Sequence, residues 1–262
     1  MRILLTNDDG IYAPGIQVLY RVLSADHEVT IVAPDRERSA VGHAITLHAP
    51  LRAETVTLNA HYRGVASNGT PADCVKLGLC AIMATRPDLV ISGINPGANV
   101  GINVNYSGTV AAAKEAALFG LPALAASIHS REGVHFEDAA RRVKDLAEIV
   151  HHRGLPRGTF LNINIPDIPY EDVAGIRICR QGNGVFPDAF EKRTDPRNRT
   201  YYWQGGDQQV FDPDPRIDGP ALEARYVSVT PIKCDMTDYD AYAQLENWPW
   251  EGQLSAAAGS RA

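Results

Sequence analysis

Short apolar runs alternate with stretches of helical periodicity through the first half of this chain, and no other feature limits its fold so strongly. Residues 2–6, 28–33, 88–92 and 122–127 read as strands, and residues about 14–24, 72–83, 109–119 and 137–151 as helices. Ile16, Leu19 and Leu23 share one helical face, as do Val75, Leu79 and Ile82, and Val143, Leu146 and Val150. Such alternation predicts an α/β fold with a mostly parallel, doubly wound sheet. Between residues 43 and 66 the runs shorten (Ile45-Thr46-Leu47, Glu54-Thr55-Val56-Thr57, Tyr62-Arg63-Gly64-Val65), which predicts an antiparallel insertion or edge strands.

After about residue 155 the pattern changes. Strands are expected at Phe160–Ile165, stopped by Pro166, at Gly175–Cys179 and at Arg225–Thr230. Residues 182–218 are crowded with Gly, Pro, Asp and Arg around Tyr201-Tyr202-Trp203. That segment cannot fill a core alone, so it is expected to pack on another surface of the chain or on a neighbouring subunit. The end of the chain, Leu254 to Ala262, is small and polar and is expected to fray.

Three loops carry chemistry. The first apolar run, Arg2 to Thr6, leads directly into Asn7-Asp8-Asp9-Gly10. Ligands of open α/β sheets sit at the carboxyl ends of the strands. Two adjacent acids there repel unless something positive joins them; a divalent cation is the simplest partner. The competing reading is an Asp-Gly turn with one acid capping the next helix. The run after residue 92 holds glycines at 93, 97 and 101 and asparagines at 95, 99 and 103, and ends in Ser107-Gly108-Thr109 before an alanine-rich helix. Pro96 and the asparagines mark a loop, whose amides suit phosphate or metal. The helix opening at Ser107 presents N–H groups and partial positive charge to an anion, or is simply capped by Ser107 or Thr109. The third loop, Asp35 to Gly42, leaves the second strand at the same edge; Ser39 there can act as a hydroxyl ligand or be merely solvated. A cation beside an anion cradle points to phosphate chemistry.

Composition and missing motifs exclude several classes. The 262 residues are 45% hydrophobic with a net charge of −6, so no basic field recruits a nucleic-acid polymer. Cys74, Cys80, Cys179 and Cys234 form no Cys-x-x-Cys pair, so reduced, buried thiols are expected. No signal-peptide pattern opens the chain and no run is long enough for a membrane span, which makes the cytoplasm the expected compartment. Gly-x-Gly-x-x-Gly after the first strand, the P-loop, His-Glu-x-x-His and Gly-x-Ser-x-Gly are all missing.

Taken together, Leu5-Thr6-Asn7-Asp8-Asp9-Gly10, Ala33-Pro34-Asp35-Arg36 through Ser39, Asn68-Gly69-Thr70-Pro71-Ala72-Asp73-Cys74-Val75, Ser92-Gly93-Ile94-Asn95 through Val110, Arg193-Thr194-Asp195-Pro196-Arg197 and Tyr226 to Pro231 resemble the survival protein SurE family. The resemblance runs from residue 1 to about 240. It implies a Rossmann-like catalytic domain at 1–155, C-terminal strands with an extended oligomerisation hairpin at 156–245, and a tail at 246–262. It also implies a metal-dependent phosphohydrolase that acts as a 5′-nucleotidase on nucleoside monophosphates; whether 3′-nucleotides and polyphosphate are cleaved as well is left open by the sequence. One Mg²⁺ or Mn²⁺ would be held by Asp8, Asp9, Ser39 and Asn95, with Asp8 and Asp9 catalytic. Asn99, Ser107, Gly108 and Thr109 are the expected phosphate contacts, and a homodimer or homotetramer the expected assembly. Asn198 stands where the family often has glycine, as do Ala224-Arg225 before the late strand. Lys233-Cys234-Asp235-Met236-Thr237 also departs from the family's leucine-rich version. Two other readings fit the residues: a non-catalytic nucleotide-binding protein, and a sugar-nucleotide transferase, since paired acids with a metal also bind diphosphates at such an edge.

Overall fold

The computed structural model describes residues 1–58, 62–130, 132–183, 189–205, 211, 213–248 and 250. In chain order its elements are β1 (Arg2–Thr6), α1 (Pro14–Leu23), β2 (Glu28–Pro34), β3 (Ala53–Leu58), β4 (Tyr62–Ser67), α2 (Pro71–Leu77), β5 (Leu89–Pro96), α3 (Gly108–Leu118), β6 (Ala123–Ile128), α4 (Phe136–Arg153), β7 (Thr159–Ile165), β8 (Gly175–Ile178), β9 (Ala189–Thr194), β10 (Thr200–Gly205), α5 (Asp218–Glu223), β11 (Tyr226–Lys233) and α6 (Tyr239–Leu245). The expected tail from Leu254 lies outside the described residues.

β1 is an interior strand, flanked on both sides, because its side chains are apolar on both faces. Ile3, Leu4 and Leu5 are fully buried, and each contributes about 1.5–3 kcal/mol by leaving water. Ile3 and Leu5 join a core under α1 and α4, whereas Leu4 joins a second core under α2 and α3. The helices α1, α3 and α4 form where the periodicity placed them. Pro14 opens α1 at its first position, and Ile16, Leu19 and Leu23 form its buried stripe. In α4 the acids Glu137 and Asp138 sit in the first turn and His151, His152 and Arg153 in the last, each matching the helix dipole.

A nine-stranded sheet runs in the order β3-β4-β2-β1-β5-β6-β7-β11-β8. β1 is parallel to β2 and β5, β5 to β6 and β6 to β7, while β11 lies antiparallel to β7 and parallel to β8. From β1 the chain first builds one side of the sheet and then returns to build the other. The carboxyl ends of β2, β1 and β5 are therefore neighbours at a topological switch point. The steps β1 to β2 and β6 to β7 run in opposite directions along the sheet, yet α1 and α4 pack on the same face. Those two crossovers consequently have opposite hands.

Three expectations are corrected. The helix expected over 72–83 stops at Leu77 and continues as a wider turn over Gly78–Ile82. Ile45-Thr46-Leu47 is not a strand: Thr46 is held by Asp73, and Ile45 and Leu47 are exposed. Cys80 is exposed rather than buried. The two-stranded β9–β10 hairpin stands apart from the main sheet and exposes Phe190, Tyr202 and Trp203. Asn198 and Arg225, where the resemblance leads to an expectation of glycine, have φ of +59° and +65°. Both occupy the left-handed region, which explains the glycine preference there. Among the described residues no helix is long and apolar enough to cross a membrane.

Candidate functional site

The end of β1 forms a tight, buried turn. Asn7 donates from Nδ2 to the Gly10 carbonyl at 2.8 Å. Gly10 has φ of +99°, and a Cβ there would lie 2.9 Å from the Arg36 carbonyl carbon, so only glycine lets the β1 and β2 loops approach this closely. The contact is completed by the Arg38 N–H, which donates to the Asp8 carbonyl at 2.7 Å.

The start of α3 meets the same turn. Ser107 caps the helix, its Oγ accepting from the Val110 N–H at 3.1 Å. Thr109 is fully buried and donates its hydroxyl to Oδ1 of Asp8; its main-chain N–H also favours the ionised carboxylate. Gly108 lies flat against that side chain: an added Cβ would be 2.8 Å from the Asp8 Cβ and 2.9 Å from its Oδ2.

Electrostatically the pair is unsatisfied. Burial outweighs the Thr109 hydrogen bonds and pushes the Asp8 carboxyl above its usual range. Asp9 is pushed up to about 7, first by burial and then by the charges of Asp8 and Glu37. Oδ2 of Asp9 and Oδ1 of Asn7 are buried with no hydrogen-bond partner. Among the described residues neither aspartate is paired with a lysine or arginine. A buried carboxylate beside a half-buried one is disfavoured when both are charged, and a cation relieves the pair.

The remaining predicted residues surround this centre unequally. Asn95 is the last residue but one of β5, opposite Ser127 of β6, and its Nδ2 donates to the Gly97 carbonyl at 2.6 Å. Ser39 is exposed, and its hydroxyl donates to Oε1 of Glu37 at 2.5 Å. Asn99 faces inward: its Nδ2 donates to Ser127 Oγ at 2.8 Å, its N–H to Asn164 Oδ1 at 2.7 Å, and its carbonyl accepts from Asn162 at 2.7 Å. The loop is tied down further by the buried Asp218, which accepts from the Gly101, Gly182 and Gly219 N–H groups at 2.9–3.0 Å. Sequence reasoning assigned no role to Glu37, whose carboxylate accepts from Ser39 and faces the aspartates. Its position two residues before Ser39 was the available signal.

Among the described residues no three His, Cys, Asp or Glu side chains group as a metal cluster. A cation here needs neutral oxygens as well; the two carboxylates and the partnerless Asn7 amide oxygen are all oxygen donors, the kind a hard divalent ion takes.

The model of the family described as survival protein SurE matches residues 3–187. This chain belongs to the SurE family. It is 56% identical over 251 residues to the 5′-nucleotidase SurE of Desulfatibacillum aliphaticivorans, covering 96% of this chain and 99% of that protein. It is 48% identical over 248 residues to the 5′-nucleotidase SurE of Syntrophobacter fumaroxidans, covering 95% and 99%. The crystal structure of the SurE protein from Aquifex aeolicus superposes with a TM-score of 0.83 at 38% identity, covering 94% of this chain and 98% of that one. The mostly parallel Rossmann-like sheet is thus the fold that this SurE-family chain shares with its solved relative.

Proposed function

We propose that this chain is a divalent-cation-dependent 5′-nucleotidase, a phosphoric monoester hydrolase that releases phosphate from nucleoside monophosphates. The single observation that carries the reading is the pair of buried Asp8 and half-buried Asp9, without a cationic side chain, against the start of α3. Names borne by close, full-length relatives support the same activity.

Asp8, Asp9, Ser39 and Asn95 would hold one Mg²⁺ or Mn²⁺. When bound, the ion supplies positive charge against the phosphoryl group and a means of making water nucleophilic at neutral pH. The chain's own residues do the rest. Thr109 fixes the Asp8 rotamer, leaving Oδ2 on the side of Gly108. The Ser107–Gly108–Thr109 turn presents the positive end of α3 to the phosphate oxygens. Asn99 belongs to the same cradle through the loop it shapes, since its own amide is bonded to Ser127. Asp9, whose Oδ2 has no protein partner, is placed to orient the attacking water. Cleavage of 3′-nucleotides and short polyphosphate is part of the proposal, because the cradle recognises phosphate rather than base.

In the same proposal, residues 1–155 form the catalytic portion and 156–245 the portion that assembles a homodimer or homotetramer through the β9–β10 hairpin. The decisive test is phosphate release from a nucleotide panel with Mg²⁺, Mn²⁺ or chelator. Chelator and Asp8→Asn should each abolish turnover; an Asp8→Asn protein that hydrolyses AMP at near the unmodified rate would refute the reading.

A further inference from the structure

Residues 35–57, which connect β2 to β3 and end in that exposed strand, include no buried side chain. The part that carries Ser39 therefore has no fully buried apolar anchor, and hydrogen bonds hold it to the rest of the fold. Three of them fix its ends: the Arg38 N–H donates to the Asp8 carbonyl at 2.7 Å, and Thr46 donates its N–H and its hydroxyl to Asp73 on α2. Between these points the Gly42 N–H reaches the Tyr106 carbonyl at 3.0 Å, and His43 reaches α3. Its Nε2 lies 2.6 Å from Oε2 of Glu115, whose Oε1 is 3.4 Å from Lys76 Nζ.

Glu115 is only 6% exposed although it carries a charge. A buried carboxylate is retained at a cost unless its partners hold it, and here they are one lysine of α2 and one histidine of the loop. The pair is placed to matter. α3 begins at Gly108 and Thr109, on the oxyanion side of the centre, whereas His43 lies four residues beyond Ser39, on the cation side. The His43–Glu115 hydrogen bond is a cross-brace between the two halves.

We infer that His43, held by Glu115, is a positioning residue that sets Ser39 over the Asp8–Asp9 pair and so tunes cation affinity. The inference rests on the reading of Ser39 as a ligand. Outer-layer hydrogen bonds that orient ligands are typically worth 10–100-fold in metal affinity. Removing the imidazole should therefore free the loop and weaken binding without touching the core, because His43 packs in no buried cluster.

The test is titration of the full-length protein with Mn²⁺ alone, followed calorimetrically, for the unmodified chain and for His43→Ala, His43→Gln, Ser39→Ala and the Ser39→Ala/His43→Ala double variant. His43→Ala should bind Mn²⁺ about tenfold more weakly, and His43→Gln, which keeps a donor toward Glu115, should recover most of that loss. If His43 acts through Ser39, adding His43→Ala to Ser39→Ala should cause no further loss. Affinity of His43→Ala within twofold of the unmodified chain, or an undiminished loss in the Ser39→Ala background, would overturn the brace while leaving the cation site standing. A lack of Mn²⁺ uptake by the unmodified chain would overturn the cation site itself. Glu115→Gln, read by the same titration, guards against a misfolded His43→Ala: the neutral amide weakens the brace and should lower affinity in the same direction.

Discussion

Thr109, the second residue of α3, donates its hydroxyl to Oδ1 of Asp8, so one hydrogen bond joins the carboxyl end of β1 to the amino end of the helix that follows β5. Those elements are far apart in sequence and adjacent only because β1 and β5 pair in parallel register, Thr6 beside Ser92. The acidic turn and the anion cradle are therefore one unit.

Gly108 tests that unity. Alanine favours a helix over glycine by about 1 kcal/mol, yet its Cβ would sit 2.9 Å from Oδ2 of Asp8. Gly108→Ala should leave the unfolding midpoint within a few degrees while kcat/KM for AMP falls by about a hundredfold, the scale of a misplaced catalytic group. Melting curves and phosphate release on the same preparation check both halves.

The metal-free protein should become less stable as pH rises. The folded pKa of Asp9, about 7, exceeds the unfolded value near 3.9, so the folded form binds the extra proton between those values. Stability is highest below about pH 4 as far as this group is concerned, and is lost as pH rises through 7. Melting temperatures in chelator across pH 5–8 should fall by several degrees. Mn²⁺ or Asp9→Asn should flatten the slope; an unchanged slope in Asp9→Asn would assign the effect elsewhere.

The positive φ of Arg225 predicts an improving substitution. A left-handed non-glycine residue costs roughly 1–2 kcal/mol, and glycine returns about 0.4–1 kcal/mol of that through the freedom of the unfolded chain. Arg225→Gly should stabilise the protein by about 0.5 kcal/mol in urea unfolding, with catalysis unaltered.

The exposed aromatic residues of the β9–β10 hairpin predict a change of assembly. Tyr202 and Trp203 are 60% and 59% exposed, which is unfavourable unless another surface covers them. Tyr202→Ser/Trp203→Ser should lower the mass measured by light scattering from that of an oligomer toward one chain.

Much of the fold is legible in the sequence because β1, α1, α3 and α4 bury whole faces, and burial writes a period into the residues. What the period cannot express stayed hidden. Ile45-Thr46-Leu47 alternates as a strand would, but the Thr46–Asp73 hydrogen bonds, not a neighbouring strand, fix it. Gly78 ends regular α2 where the chain packs onto Leu4 of β1, a contact with no local signature. Within the site, Asp8, Asp9 and Thr109 were recognisable because they end a strand or begin a helix. The inward turn of Asn99 depends on Ser127, Asn162 and Asn164, and Glu37 and His43 gain meaning only from partners that the fold brings near.

The unburied stretch from Asp35 to Thr57 has an evolutionary corollary. Apart from Val56, which packs against the core, and the few side chains that grip a carboxylate, its sequence can drift with little penalty to the hydrophobic interior. New substrate preferences within the lineage have a region there in which to arise, decoupled from the thermodynamics of the scaffold.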